Sequence, residues 1–485
     1  MALFSTESWL YRHRYSLGYA VIILAFIWLL FLAATQTPGG LSAGEHTAIV
    51  RTAGIDLQNT ESLTLTNLPF YAAQRGVIEV LGISSLSIKL LPAVLSLITG
   101  IGAVFLLRRW FRPNIALLAT AIVITTGQFL YIAQSASPSI TYILWPVWLL
   151  LTASLITANP QHARFWKLLF FLIVPLSLYT PLSIYIVVAL LSAGLLHPHV
   201  RYVVRRMSRK HLAGLTAISL TLVAPLIYLI VQRPELGLEL LGAPDAWPPD
   251  IAANAVTLFN QYFNFVEPQS SARMIPLLGL GSMALIALGV WRLFKIRYTA
   301  RSYTLAAWIL LLLPVLLVNP VFISVTFVPL LILLASGLEF LQRSWYGIFP
   351  RNPYARAVGF VPLVILVAGL TISGLDRYFA GYRHDPAVAS NFSNDLSLLE
   401  DKIQEGDAPV TLVVHKDELE FYNAVAHLQH APRPELTVTS TAPSVAGGKL
   451  AATRAAKDTI VLPIERVIVT DTQQNADRFY IYKTK

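Results

Sequence analysis

The chain has 485 residues, 55% of them hydrophobic and only 13% charged, with a formal net charge of +10 and a mean hydropathy of +0.61. Soluble chains carry about 25% charged residues, so too little polar surface is available to cover a water-soluble body of this size, and a polytopic membrane protein is expected. The Lys and Arg excess lies in short clusters between apolar runs, as membrane orientation requires. A nucleic-acid binder would keep a continuous basic face, so no nucleic-acid partner is expected. The chain has no cysteine, which excludes disulfides, thiolate zinc sites and cysteine nucleophiles.

In chain order, the first apolar run, LGYAVIILAFIWLLFLAATQ, is too long and too rich in Trp and Phe for a signal-peptide core, so it reads as a retained span. The outer loop 37–86 follows and is too long for a plain connector. Within it, AGEHTAIVRTAG and LPFYAAQRGVIEVLG space their apolar residues as helices lying on a membrane surface do. Runs near the roughly 20 apolar residues of a span recur at 87–107, 114–133, 139–157, 213–231, 274–293, 303–319, 321–340 and 357–375. The segment 168–196 holds Pro175 and Pro181 on either side of Tyr179-Thr180. Proline interrupts the helical ladder, so two short spans turning at that step are expected, about 11 transmembrane helices in all. That number puts Arg12/Arg14, Arg108/Arg109/Arg112, Arg164/Lys167, the 201–211 cluster, Arg292/Lys295/Arg297/Arg301 and Arg343/Arg351/Arg356 together on the cytoplasmic side. The N-terminus is then cytoplasmic, and loops 37–86 and 233–273 and the tail lie outside.

The expected transmembrane domain covers 1–375, and the tail 376–485 has ordinary soluble composition. NDLSLLEDKIQEG and KDELEFYNAVAHLQ read as helices, and PVTLVVH, ELTVTST, TIVLPIERVIVTD and RFYIYK as strands, which together make a small extracytoplasmic α/β domain. VAGGKLAAT has two adjacent glycines but no clean strand-to-helix turn, so an accessory domain is favoured over a nucleotide site.

The arrangement of one span, an outer loop with an acidic motif and surface helices, short-looped spans and an outer C-terminal domain resembles the GT-C membrane glycosyltransferases. Within them it is similar to glycosyltransferase family 39, the dolichyl-phosphate-mannose-protein mannosyltransferase and aminoarabinose-transferase branch, over roughly residues 15–375. GEHTAIVRTAGIDLQN stands where that family begins a surface helix with Asp-Glu-Ala. NLPFYAAQRGVIEVLGISSLSIKLL, YIAQSASPSITYIL and NPVFISVTFVPLLILLASGLEFL are similar to its later motifs. The resemblance implies transfer of a sugar from a polyisoprenyl-phosphate carrier to an acceptor on the outer face, in a prokaryotic plasma membrane. The chain departs from the pattern at Gly44, in place of the family's Asp, at Ser137 in place of an arginine, and at FISVTF, where an arginine is expected. These departures carry the alternative, a diverged GT-C-like scaffold that binds a lipid-linked glycan or a protein partner without turnover. A transporter fits less well, because it would place ionisable groups or paired broken helices at mid-membrane.

The site residues implied are these. Glu45 is the candidate general base and the one candidate ligand for a divalent cation, a cofactor the resemblance leaves open; otherwise it is a helix-start carboxylate favoured by the dipole. Lys89 is a phosphate contact or a cation snorkelling to the headgroups. His46 is a ligand or a surface polar group, and Asp56, eleven residues beyond Glu45, a second carboxylate. Tyr179 and Thr180 form a pocket floor or an interfacial anchor. Arg233 and Arg273 flank the second outer loop as lipid-phosphate contacts or span ends. The expected partners are a polyisoprenyl-phosphate sugar, the bilayer, and a glycan, lipid or protein acceptor.

Overall fold

The computed structural model describes residues 9–56, 58–158, 163–244, 246–265, 276–296, 298–348, 353–405, 408–429, 434–441, 448–470 and 477–483. Helix α1 (Trp9–Thr35) leads into a short strand β1 (Leu41–Ser42) and the two loop helices α2 (Ala43–Ala53) and α3 (Leu68–Leu81), both where the sequence places them. The bundle continues with α4 (Ser85–Trp110), α5 (Pro113–Ile124), α6 (Gly127–Gln134), α7 (Thr141–Ala158), α8 (Arg164–Ser177), α9 (Ser183–Leu196), α10 (Pro198–Arg205) and α11 (Arg209–Gln232). Then come α12 (Pro234–Leu241), α13 (Ile251–Phe263), α14 (Leu280–Lys295), α15 (Ala300–Val318), α16 (Phe327–Ile348) and α17 (Pro353–His384).

Among the described residues seven helices are long and apolar enough to cross a membrane, or up to nine if the bent pairs α5–α6 (67°) and α9–α10 (90°) each form one span. Helices α8 and α14, with 14 and 16 residues, fall below that length. At about 1.5 Å per residue they are shorter than a hydrocarbon core of about 30 Å. Every run expected to span has its helix, but eleven crossings are more than length alone supports.

Two breaks have local causes. The chain leaves the helix between α8 and α9 at residues 178–182, next to the two prolines, with Leu182 at φ +63°. The bend between α5 and α6 was not expected, because 114–133 reads as one run. Thr125 Oγ1 donates to the Ala121 carbonyl at 2.7 Å and Thr126 Oγ1 to that of Val123 at 2.7 Å. Such hydroxyls compete with the backbone ladder, and Thr126 then caps α6 by accepting from Phe129 N.

Helices α14 and α16 make the closest approach. A Cβ on Gly289 would stand 2.0 Å from the Leu333 carbonyl oxygen, and one on Gly337 2.0 Å from that of Leu285. Small residues admit such contact between membrane helices. The same pair buries Arg292, whose Nη1 lies 2.7 Å from Glu339 Oε2, while Arg343 Nη2 lies 2.7 Å from Oε1.

The bundle has two chemically distinct ends. At one, Asn67 N donates to the Tyr179 carbonyl, Leu182 N to that of Leu240, and Asn319 Nδ2 to that of Ala243. This end collects α2, α3 and the 233–250 segment. At the other, Arg301 Nη1 reaches the Trp110 carbonyl and His197 Nε2 contacts that of Tyr298. The basic clusters therefore gather at the end opposite Glu45.

Past α17, which runs nine residues beyond the expected boundary at 375, come α18 (Pro386–Ala389), β2 (Phe392–Ser393) and α19 (Asp395–Leu398). A five-stranded sheet follows, built from β3 (Val410–Val413), β4 (Leu436–Thr439), β5 (Lys449–Thr453), β6 (Ile464–Val469) and β7 (Asp477–Tyr482) in the order β4-β3-β5-β7-β6, with α20 (Leu419–Leu428) between β3 and β4. Strand β3 runs parallel to β4 and β5, and β7 antiparallel to β5 and β6. The central strand β5, part of the stretch tested above as a phosphate loop, was not expected. The domain does not stand apart from the membrane part: Leu41, Ile49, Ile78, Ile83 and Ile88 share one apolar core with Leu396, Leu412, Phe421 and Leu428. Strand β1 also pairs antiparallel with β2, Leu41 opposite Ser393.

Candidate functional site

The sequence Ser-Ala-Gly-Glu forms a capping box at the start of α2. Glu45 Oε2 accepts from Ser42 N at 2.7 Å and from Ser42 Oγ at 2.9 Å. Its Oε1 accepts from Ala136 N at 2.8 Å, in the turn after α6. The side chain is wholly buried. The expected carboxylate overlooking an open cavity is therefore not what this structure holds. Glu45 instead staples the loop 37–86 to the α6–α7 turn, and three N–H and O–H donors already take most of its lone pairs. Among the described residues no group of three or more His, Asp or Glu could hold a metal ion. The residues around Glu45 do not fit a divalent cation.

Lys89, in the first turns of α4, is also fully buried. Its Nζ donates to the Gly40 carbonyl at 2.7 Å and to Gln134 Oε1 at 2.8 Å. It neither snorkels to headgroups nor faces an open site, because two protein acceptors already hold it. Gly40 must be glycine, since a Cβ there would stand 2.7 Å from the Ser393 carbonyl oxygen. Tyr378 of α17 donates to the Thr37 carbonyl at 2.6 Å, which ties the last long helix to the same loop. Glu45, Lys89, Gln134 and Tyr378 thus form a buried polar seam beneath α2 and the sheet domain. Immediately outside it, Ser137 Oγ lies 3.0 Å from Ser135 Oγ and 2.9 Å from Ser139 Oγ, with Ser137 and Ser139 half-buried.

His46 stacks on Phe421 of α20, with ring centroids 4.0 Å apart at 22°. Burial pulls its pKa below the usual imidazole value, against the raising fields of Glu45 and Asp395. Beside it Arg478 pairs with Asp395 and reaches Ser393 Oγ, so His46 belongs to the clasp between α2 and the sheet domain. Asp56 is exposed and closes a turn by accepting from Gln58 N at 2.9 Å; it shares no contact with Glu45. Tyr179 and Thr180 are buried. Tyr179 packs among Leu226, Leu229, Leu236 and Leu240, and Thr180 Oγ1 accepts from Trp145 Nε1 at 2.9 Å, so they are packing groups and not an open floor. Arg233 is exposed, 3.9 Å from Glu235. Arg273 lies outside the described residues. Of the residues singled out in the sequence, Glu45, Lys89 and His46 are brought together, while Asp56, Tyr179, Thr180 and Arg233 stand elsewhere.

Sequence reasoning passed over Gln134, which holds Lys89, and the Ala136 amide, which holds Glu45. A lone glutamine closing an apolar run was the available signal for the first. A main-chain amide leaves none.

No protein-family model matches the chain, and comparison with curated proteins gives no match. Among solved structures the fold is similar to that of ArnT from Cupriavidus metallidurans in the apo state, with a TM-score of 0.50 and 13% identity over 96% of this chain and 98% of that one. It is also similar to the Archaeoglobus fulgidus oligosaccharyltransferase tethered with an acceptor peptide containing the NVT sequon, with a TM-score of 0.50 and 13% identity over 88% of this chain. The match spans 65% of the oligosaccharyltransferase's length. At that identity the likeness is one of fold. The chain is a mostly helical, multi-pass membrane protein with a fold similar to those two structures.

Proposed function

We propose that the chain is a GT-C-type membrane glycosyltransferase that takes a sugar from a polyisoprenyl-phosphate carrier at the outer face of a prokaryotic plasma membrane. The observation that carries this reading is the extent of the fold likeness to ArnT, which runs through nearly the whole of both chains. In the reaction the acceptor oxygen attacks the anomeric carbon. The bond from that carbon to the carrier phosphate breaks, the electron pair leaves with the phosphate, and the acceptor proton passes to a base. Eleven spans, the N-terminus inside, and loops 37–86 and 233–273 and the 376–485 domain outside complete the proposal. The segregation of the basic clusters away from Glu45 supports that orientation. Glu45 is the proposed base, and it reaches an acceptor only when α2 and the α6–α7 turn part.

One observation favours a second reading, a scaffold that binds a lipid-linked glycan without turnover. Both Glu45 oxygens and Lys89 are already committed to protein partners. Incubating purified protein with radiolabelled polyisoprenyl-phosphate sugars and following release of label from the carrier separates the two. Release that disappears in a folded Glu45→Gln protein supports the enzyme with Glu45 as base. Carrier binding without release supports the scaffold.

A further inference from the structure

Acids are scarce along the membrane part of the chain. None occurs between Glu79 and Glu235, and from 80 to 375 the one acid outside the 233–273 segment is Glu339. Glu339 is buried on α16 and commits both oxygens to arginines, Oε2 to Arg292 Nη1 and Oε1 to Arg343 Nη2, each at 2.7 Å. Arg301, at the start of α15, stands in the field of all three, yet it forms no ion pair among the described residues. Its guanidinium lies 4.5 Å from the Phe111 ring centroid, and Nη1 donates to the Trp110 carbonyl at 3.3 Å. Three guanidinium groups therefore share one carboxylate. Arg343 is exposed, so water solvates its charge, whereas Arg301 is half-buried and lacks a counter-ion.

A cavity lies between these groups. Arg292, Ser302 and Ser336 line its buried floor, and the part-exposed Arg301, Leu293 and Ile296 form its rim. Its volume of about 10 Å³ is the space that one water-sized atom needs. Ser302 Oγ donates to the Ile296 carbonyl at 2.6 Å and so holds the α14–α15 turn. Other donors on the lining remain available. Arg292 uses Nη1 alone, on Glu339 and on the Ser336 carbonyl at 3.2 Å. The Ser336 hydroxyl makes no hydrogen bond among the described residues. Surplus positive charge beside guanidinium and hydroxyl donors suits an anion, and guanidinium edges match phosphate oxygens best.

The surroundings point to the source of that phosphate. The cavity sits where α14 turns into α15, at the end of the bundle opposite Glu45. Trp291, Phe294 and Tyr298 are exposed on that stretch, and Lys295 Nζ lies 5.1 Å from the Trp291 ring centroid. Exposed aromatic rings beside cations mark the headgroup level of a bilayer, and basic pockets between membrane helices take anionic headgroups. We propose that the cavity seats one non-bridging phosphate oxygen of an anionic lipid in the leaflet opposite Glu45, held by Arg301, Arg292 and the Ser336 hydroxyl. The rest of the headgroup lies at the rim. This seat is remote from α2 and independent of the glycosyl-transfer reading. Inorganic phosphate offers the same chemistry from solution.

The test measures retention of radiolabelled phosphatidylglycerol by the full-length protein, stripped of lipid in a neutral detergent, with phosphatidylcholine and inorganic phosphate as competitors. Wild type should retain phosphatidylglycerol against either. Arg301→Gln should weaken retention at least about tenfold, the loss of a charge-assisted contact, and Arg301→Lys should recover part of it. Ser336→Ala leaves the Glu339 ion pairs in place and should weaken retention by a factor of a few; it keeps the proposal refutable if Arg301→Gln does not fold. Arg206→Gln, which removes an exposed charge at the same end, should bind as wild type. Retention unchanged in Arg301→Gln and Ser336→Ala, or weakened as much in Arg206→Gln, overturns the proposal. So does equal displacement by phosphatidylcholine. Displacement by equimolar inorganic phosphate, with radiolabelled phosphate then bound in an Arg301-dependent way, overturns the lipid as source and gives the seat to soluble phosphate.

Discussion

Replacing Glu45 by Gln changes almost no volume and removes one acceptor from a site that needs two. Three donors converge on the carboxylate: Ser42 N and Ser42 Oγ on Oε2, and Ala136 N on Oε1. If the amide oxygen keeps the Ser42 pair, its NH2 faces the Ala136 N–H across 2.8 Å. If it keeps Ala136, the NH2 faces Ser42 N across 2.7 Å, and only the Ser42 hydroxyl can turn to accept. Either way one buried main-chain N–H is left unpaired, at about 1–3 kcal/mol. The lost charge at a helix start adds about 0.3–1 kcal/mol. Thermal unfolding in one detergent, followed by tryptophan fluorescence, should place Glu45→Gln several degrees below wild type. Glu45→Ala should fall further, because it leaves all three donors unmet. A Glu45→Gln protein that melts with wild type would refute the staple and return the residue to a purely chemical role.

Other expectations follow from the same geometry. Lys89→Met strands the Gly40 carbonyl and Gln134 Oε1 and loses two hydrogen bonds to a charged group, each worth about 1.5–3 kcal/mol; the same melting assay should show a fall at least as large as that of Glu45→Gln. Gly337→Ala places a methyl 2.0 Å from the Leu285 carbonyl oxygen, and overpacking of about 1–3 kcal/mol should appear as a lower melting temperature and more aggregate on size exclusion. His46 has a pKa depressed in the folded state, burial being the largest cause, so the unfolded chain takes up its proton first. Its stabilising contribution is complete above the ordinary imidazole value of about 6.5 and declines as pH falls below it. Melting should therefore drop between pH 7.5 and pH 5, and His46→Phe, which keeps the stack on Phe421, should flatten that dependence.

Much of the fold is legible in the chain because each span states itself locally. Pro175 and Pro181 mark the α8–α9 break, and the Ser-x-x-Glu signature marks the start of α2. The α5–α6 bend is hidden because Thr125 and Thr126 sit in an unbroken apolar run, and only their hydroxyl bonds to the preceding turn reveal it. Strand β5 reads Lys-Leu-Ala-Ala-Thr, weak in the branched and aromatic residues that announce strands, and it is held centrally by pairing with β3 and β7. Glu45 was found by its motif, yet its burial depends on an amide 91 residues away, which no local pattern records.

The proposed reaction depends most directly on which end of the bundle faces out. The absence of cysteine makes this measurable without background, by labelling single-cysteine proteins with a membrane-impermeant maleimide in intact cells. Gly44→Cys, at an exposed position beside Glu45, should label from outside, and Arg206→Cys, at the basic end, only after permeabilisation. Labelling of both from the same side, or of Arg206→Cys alone from outside, would contradict the account.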